Sequence, residues 1–279
     1  MQYADYAIWQ RTHLEGDVLE GQLSYWEERL SGAANLGLPT DHVRPSVQST
    51  EGASIQLELD GDLRDALVSL GREEGTTLFM TLLSAFKVLM YRYSGQEDVS
   101  IGTPIANRTQ EELEGMIGFF VNTLVLRSDL GGDPGFRELL QQVKGTTLGA
   151  YDHQSAPFEK VVDRVVKTRD MSMPPLFQVL FALQNTPEED GGATADTVLE
   201  ASPYEDEDTT SKFDLSLSAF EDASGISLEL EYCTDLFNAD TIARMLSHYR
   251  ELLRSIVADP ASRITDLSML TFPEERQLL

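Results

Sequence analysis

Residues 101–127, IGTPIANRTQEELEGMIGFFVNTLVLR, constrain this chain more than any other stretch. They read as strand, turn, helical segment and strand. Val99 and Ile101 begin the first strand. Gly102 and Pro104 are expected to end it, since glycine reaches φ values other residues avoid and proline lacks a ladder donor. Asn107 and Arg108 fall on the loop. Thr109, with Glu112 three residues on, has the spacing of a capping box. After Gly118, residues 119–126 form a β-prone apolar run broken by Asn122 and Thr123. Asn122 is the anomaly, because a buried amide without partners costs roughly 1–3 kcal/mol. Two readings are open: a satisfied amide that holds the loop, or a polar group facing a cavity.

Around this stretch, strand and helix periodicities alternate. Tyr3, Tyr6, Trp9 and Gln10 form an aromatic helical stripe. Leu19, Leu23, Trp26 and Leu30 share one face of a second helix. Residues 33–53 have no period and read as a surface crossing. Ile55, Leu57 and Leu59 alternate as a half-buried strand. Leu63, Leu67 and Leu70 mark a helix ending near Gly75. Thr76 or Thr77 then caps the helix carrying Phe79, Leu82, Leu83, Phe86, Leu89, Met90 and Tyr93, the strongest 3.6-residue pattern here. Asp133-Pro134 reads as N-cap and first position of a helix that buries Phe136, Leu139, Leu140, Val143 and Thr147. Residues 176–183 form an apolar strand, with Gln178 and Gln184 on one face by period two. Phe213, Leu215 and Leu217 pair as a hairpin with Ile226, Leu228, Leu230 and Tyr232. Asn238 caps a last helix. Residues 188–208 hold nine acids and no Lys or Arg. They read as a solvated loop around a short strand near Val198, with a metal site the weaker alternative because the spacing is not that of an EF-hand. Residues 261–279 read as a tether offering Ile264, Leu267 and Leu270 to a neighbour. The alternation predicts an α/β chain, a two-layer sandwich.

Charge and cysteine usage exclude several classes. The balance of 21 Lys+Arg against 47 Asp+Glu, net −26, argues against nucleic acid and against anionic membranes. One cysteine, Cys233, rules out an internal disulfide and fits a reducing, cytoplasmic setting. It lies at a predicted strand end and reads as a buried, inert thiol. The histidines are His13, His42, His153 and His248. His153 reads as a loop or helix-end residue with hydrogen-bonding duty. No G-x-S-x-G elbow, P-loop or H-E-x-x-H is present. No apolar run is long enough to span a bilayer.

Five stretches together resemble one family. They are the opening Tyr3-Ala4-Asp5-Tyr6-Ala7-Ile8-Trp9-Gln10-Arg11, the 101–127 stretch, His153-Gln154-Ser155-Ala156-Pro157-Phe158-Glu159-Lys160, Arg169-Asp170 through Pro175-Leu176-Phe177-Gln178 to Leu183-Gln184-Asn185, and Ser211-Lys212-Phe213-Asp214-Leu215. In this order they resemble the condensation domains of nonribosomal peptide synthetases over almost the whole chain. The resemblance implies the chloramphenicol acetyltransferase-like fold, with two lobes per domain and a tunnel between them. It implies amide formation by attack of an acceptor amine on a donor thioester. Both substrates ride on the 4'-phosphopantetheine of peptidyl carrier proteins, an adenylation domain is a further partner, and no cofactor is bound by the chain itself.

The family's catalytic HHxxxDG is absent, so the match is to the C-terminal lobe. Residues 1–32 would be a helical lead-in from the missing N-terminal lobe, residues 33–260 the C-terminal lobe, and residues 261–279 a linker. No catalytic residue and no metal ligand is assigned, and the lone chain is expected to be inactive. Gly118, Asn122, Gln178 and Gln184 are the candidates for the tunnel wall. Asn107, Arg108 and Asp214 are structural candidates, with Lys212 and Asp214 an ion pair or contacts to the missing lobe. Two alternatives stay open: a non-catalytic docking module for a carrier or adenylation domain, and an epimerisation or heterocyclisation relative. The second ranks last, because residues 102–108 resemble the condensation type better.

Overall fold

The computed structural model describes residues 2–184, 210–222 and 224–278. The acidic stretch 188–208, with its expected strand and alternative metal site, lies outside the described residues. Among the described residues no helix is long and apolar enough to cross a membrane. No group of three or more His, Cys, Asp or Glu residues there could hold a metal ion.

Two helices lead in, α1 (Tyr3–His13) and α2 (Gly16–Leu30). One mixed six-stranded sheet follows, in the order β1-β6-β5-β4-β2-β3. Its strands are β1 (Gly52–Asp60), β2 (Asp98–Ile105), β3 (Asn122–Asp129), β4 (Val179–Gln184), β5 (Leu215–Glu221) and β6 (Gly225–Cys233). Strands β2, β4 and β5 run parallel to one another, and the remaining pairings are antiparallel. The other helices are α3 (Gly61–Glu73), α4 (Leu78–Ser94), the single turn α5 (Glu111–Glu114), α6 (Phe136–Asp152), α7 (Phe158–Val165), α8 (Ala239–Ala258) and α9 (Phe272–Leu278). The arrangement is the expected α/β type.

Helix α4 is the centre of the core. Thr77 caps its start by accepting from Met80 N, and Gly95 closes it at φ +70°. Residues 80–90 are buried on every face, including Lys87. The Lys87 ammonium makes no ion pair among the described residues and donates to the carbonyls of Val99 and Leu126. Burial pulls its pKa down to about 7.

Several sequence expectations are corrected. β2 does not stop at Gly102 but continues to Ile105. Its contact with β4 is registered at Gly102↔Leu180, short of Pro104, whose missing donor is therefore not required there. A Cβ on Gly102 would collide with the Phe177 ring, so glycine serves close approach rather than a turn. β3 starts at Asn122, not at residue 119. The Phe119 carbonyl accepts from Tyr3 Oη (2.8 Å) instead of joining a ladder, and Phe119 and Val121 stay exposed. The Thr109–Glu112 capping box does not form; Gln110 precedes α5 without a side-chain cap. Asp133 is not the α6 cap either. That position is Gly135, while the Asp133 carboxylate accepts from Thr265 N and Oγ1. The 33–53 crossing is pinned to the body by buried Leu36 and Leu38. Ile264 and Leu267 are buried in the chain's own core rather than offered to a neighbour.

Two predictions follow from the core. Lys87 binds its proton less tightly folded than unfolded, so between about pH 7 and 10.5 the unfolded chain carries more protons. Stability of the native chain is therefore expected to rise with pH through that window. Urea midpoints of Lys87→Met are expected to lack this rise; an equal rise in both proteins would refute the assignment. Separately, Gly102→Ala is expected to cost about 1–3 kcal/mol through overpacking. Adding Phe177→Leu should return part of it, as read from denaturant midpoints.

Candidate functional site

The parallel strands β2, β4 and β5 end at the same edge of the sheet. In open α/β sheets this edge is where ligands bind. Here the strand ends face the N-terminus of α4, and a cleft of about 610 Å³ lies between them. Its walls are Thr77, Leu78 and Phe79 from α4, residues 103–106 from β2 and the loop after it, and Val121 before β3. Tyr151 on α6, residues 182–184 on β4 and Glu221 on β5 complete it.

The polar groups in this cleft divide into two sets. The Thr77 hydroxyl is used as the helix cap. Thr103, Tyr151, Gln184 and Glu221 have side chains with no hydrogen-bond or ion-pair partner among the described residues. Thr103 is only 2% exposed. Partial burial raises the Tyr151 phenol pKa, so this group is a neutral donor and acceptor at ordinary pH. Glu221 is the one charged residue that lines the cleft among the described residues. Three neutral hydrogen-bonding groups and one carboxylate thus line one open cleft together with Leu78, Phe79, Ile105, Val121 and Leu183.

Of the four tunnel candidates, Gln184 lines this cleft and the other three do not. Gln178 is buried and its amide is consumed within the fold. Its Oε1 accepts from Leu36 N (2.7 Å), and its Nε2 donates to Pro174 O (3.0 Å) and Asn35 Oδ1 (3.3 Å). Asn122 Nδ2 donates to the carbonyls of Gln154 (2.9 Å) and Ala156 (2.8 Å), and its Oδ1 accepts from Phe158 N (3.1 Å). It ties the start of β3 to the α6–α7 connection and satisfies the first backbone donor of α7, which has no cap of its own. Of the two readings, the geometry is that of a satisfied amide. Gly118 lies against the Tyr3 ring, where a Cβ would clash.

Among the structural candidates, Asn107 takes a left-handed φ of +54°. Arg108 donates to the carbonyls of Leu113, Glu114 and Met116, and its guanidinium lies 4.3 Å from the Phe120 ring centroid. Asp214 pairs with Arg44, not with Lys212. The two side chains make a bidentate contact, and hydrogen bonding to Asp214 raises the Arg44 pKa. Thr103, Tyr151 and Glu221 were not legible as site residues. They come from three separate elements, and only the alignment of strand ends brings them together.

No histidine lines the cleft among the described residues. His42 Nε2 bonds Asn238 Oδ1 (3.0 Å). His153 ends α6, stacks on Tyr25 at 3.8 Å between centroids and bonds Gly149 O (2.8 Å). His248 lies between Tyr93 Oη and the Glu274 carboxylate. His13 stacks on Trp9. Cys233 is buried, and burial raises its thiol pKa.

Asn122→Ala removes all three amide bonds and leaves a helix N–H and two carbonyls in need of partners. A loss of about 2 kcal/mol is expected from chemical denaturation. Asn122→Asp keeps the acceptor but sets a carboxylate against two carbonyls, and is expected to be at least as damaging. Unchanged stability in both variants would remove Asn122 from its place at the junction.

Comparison with known proteins bears on this geometry. The condensation domain family model matches residues 1–279. The chain is 50% identical over 280 residues to a linear gramicidin synthase of Brevibacillus parabrevis, covering 100% of this chain and 6% of that protein. It is 45% identical over 280 residues to malpinin synthetase of Mortierella alpina, covering 100% of this chain and 4% of that protein. Among solved structures, the X-domain from teicoplanin biosynthesis superposes with a TM-score of 0.85 at 30% identity, over 97% of this chain and 62% of that one. A four-domain nonribosomal peptide synthetase bound to AMP and glycine gives 0.83 at 26% identity, over 93% of this chain and 21% of that one. The chain therefore spans a small part of the synthetases it matches and under two thirds of the X-domain chain. With the family model covering every residue and the fold shared with these structures, the chain belongs to the condensation domain family.

Proposed function

We propose that this chain acts as the C-terminal lobe of a nonribosomal peptide synthetase condensation domain. In this reading residues 33–260 form the lobe, residues 1–32 lead in from an N-terminal lobe, and residues 261–279 lead out. The cleft at the ends of β2, β4 and β5 is one wall of the substrate tunnel. Acyl groups reach it on the phosphopantetheine arms of carrier proteins, and an amide bond forms between them. The observation that carries this reading is the set Thr103, Tyr151 and Gln184. Neutral hydroxyl and amide groups without protein partners suit a ligand that is itself a chain of amides, because each amide needs one donor and one acceptor.

Two further features support it. No histidine lines the cleft among the described residues, and each of the four is engaged elsewhere. In this reading general acid–base work belongs to a histidine on another polypeptide segment. Beside the cleft, Ile117, Phe119 and Val121 are exposed at 96%, 78% and 51%. Such an apolar ridge suits contact with a second lobe.

Reconstitution tests the proposal. Carrier-bound aminoacyl thioesters are expected to give no amide with the lone chain and to give product once an N-terminal lobe carrying HHxxxDG is supplied. In the assembled domain, the double variant Tyr151→Phe with Gln184→Ala is expected to slow product formation by about tenfold. Efficient condensation by the lone chain, or full activity of the double variant, would overturn it.

A further inference from the structure

Among the described residues the cleft holds one charge, the exposed carboxylate of Glu221, and it has no partner there. Glu221 ends β5 beside Gln184, whose strand neighbour is Phe220. The next residue, Asp222, shows what a carboxylate does here when its duty is structural. It accepts from Ser224 N (2.6 Å), Ser224 Oγ (2.6 Å) and Gly225 N (3.0 Å), and these bonds hold its pKa below the ordinary value. The adjacent cation, Arg64, is also committed. It reaches the Asp222 carbonyl and the Asp65 carboxylate. Glu221 has none of these contacts and lines the cleft instead. On the β2 wall of the same cleft lies the hydroxyl-bearing Thr103, 2% exposed and without a partner among the described residues. A nearly buried, hydroxyl-bearing residue on the wall of the same space, with no partner there, fits a cleft that takes a ligand.

We infer that Glu221 recognises a primary ammonium group on the ligand, and so selects, at this end of the cleft, an acyl group whose amine is free over one whose amine is already acylated. The inference rests on the reading of the cleft as the pantetheine path and adds polarity to it. Along the strand ends, Thr103 and Gln184 meet the neutral amides, while Glu221 favours the one part of an aminoacyl-pantetheine that carries positive charge. A free α-amine is protonated at neutral pH, whereas an N-acylated one is neutral. In two otherwise identical thioester mimics, a carboxylate therefore distinguishes the nucleophilic partner from the N-blocked one. No bond is made or broken by Glu221 in this role. It acts as a specificity-determining residue.

The test uses the 279-residue chain and two probes, an aminoacyl-pantetheine amide and its N-acetyl counterpart, titrated at low salt and followed by chemical-shift changes of cleft residues. The native chain is expected to bind the free-amine probe about fivefold more tightly, the range of a partly exposed ion pair. Glu221→Gln, close in size and still able to end β5, is expected to lose that preference while binding the N-acetyl probe as before. Equal binding of the two probes by the native chain, or an undiminished preference in Glu221→Gln, overturns the role of Glu221 and leaves the tunnel reading intact. If neither probe perturbs the cleft in the native chain, the tunnel reading itself fails and the inference falls with it. If Glu221→Gln weakens both probes alike, the residue supports the fold and does not select.

Discussion

The cleft depends on how closely two parallel strands approach one another. β2 and β4 are joined at Gly102↔Leu180, and the Phe177 ring occupies the volume a side chain at Gly102 would need. Phe177 in turn packs on Phe213 ahead of β5 and on Phe158 at the start of α7. One ring thus packs against β2 at Gly102 and against Phe213 just ahead of β5. Thr103 follows Gly102 directly, and Gln184 lies four residues beyond Leu180. Their separation across the cleft is inherited from this contact.

How far the chain could be read in advance follows from which interactions are periodic. The stripe of α4 was legible because hydrophobic burial repeats every 3.6 residues, and so were α2, α6 and α8. Lys87 was not. Its position on α4 is buried by surroundings that close over every face of the helix, and a period describes only one face. The apolar run 119–126 misled because β-propensity is local, whereas the bond from Tyr3 to Phe119 O spans 116 positions in sequence. Asp133 looked like a cap by its neighbours and proved to hold Thr265, more than a hundred residues away. Arg44 and Asp214 pair over 170 positions of sequence without any mark in spacing. In each case the missing information was the identity of a distant partner.

The candidate site divides along the same line. Strand parity placed Gln178 and Gln184 on one face, and family resemblance marked both. Parity cannot tell which part of a face is covered. At Gln178 the crossing segment folds over the strand, and Leu36 and Pro174 take the amide. At Gln184 the strand has run past that cover. Asn122 drew attention as a polar residue in an apolar run. The physical reason for it lies in α7, a helix that begins at a proline and needs an acceptor from elsewhere for its first donor. Tyr151 and Glu221 have ordinary sequence surroundings, an amphipathic helix and an alternating strand. They matter only because α6 and β5 end where β2 and β4 end.

Helix α4 links this cleft to the far end of the chain. It contains 17 residues, so it extends roughly 25 Å. Its first turn is a wall of the cleft, and its last turn holds residues 264–267. There Arg92 donates to the carbonyls of Ile264 (3.3 Å), Thr265 (3.0 Å) and Leu267 (3.1 Å). Tyr93 meets His248 on α8, and His248 meets Glu274 on α9. Bonds from Thr271, with His248 beyond them, hold the Glu274 carboxyl pKa down to about 2, so it stays charged throughout the neutral range. With Ile264 and Leu267 buried in the core, residues 264–267 cannot shift against the cleft without exposing those side chains and releasing three carbonyls from one guanidinium. Both changes are costly, and both act on the same straight helix. Residues 264–267 are therefore held to the same helix whose first turn forms the cleft's inner wall.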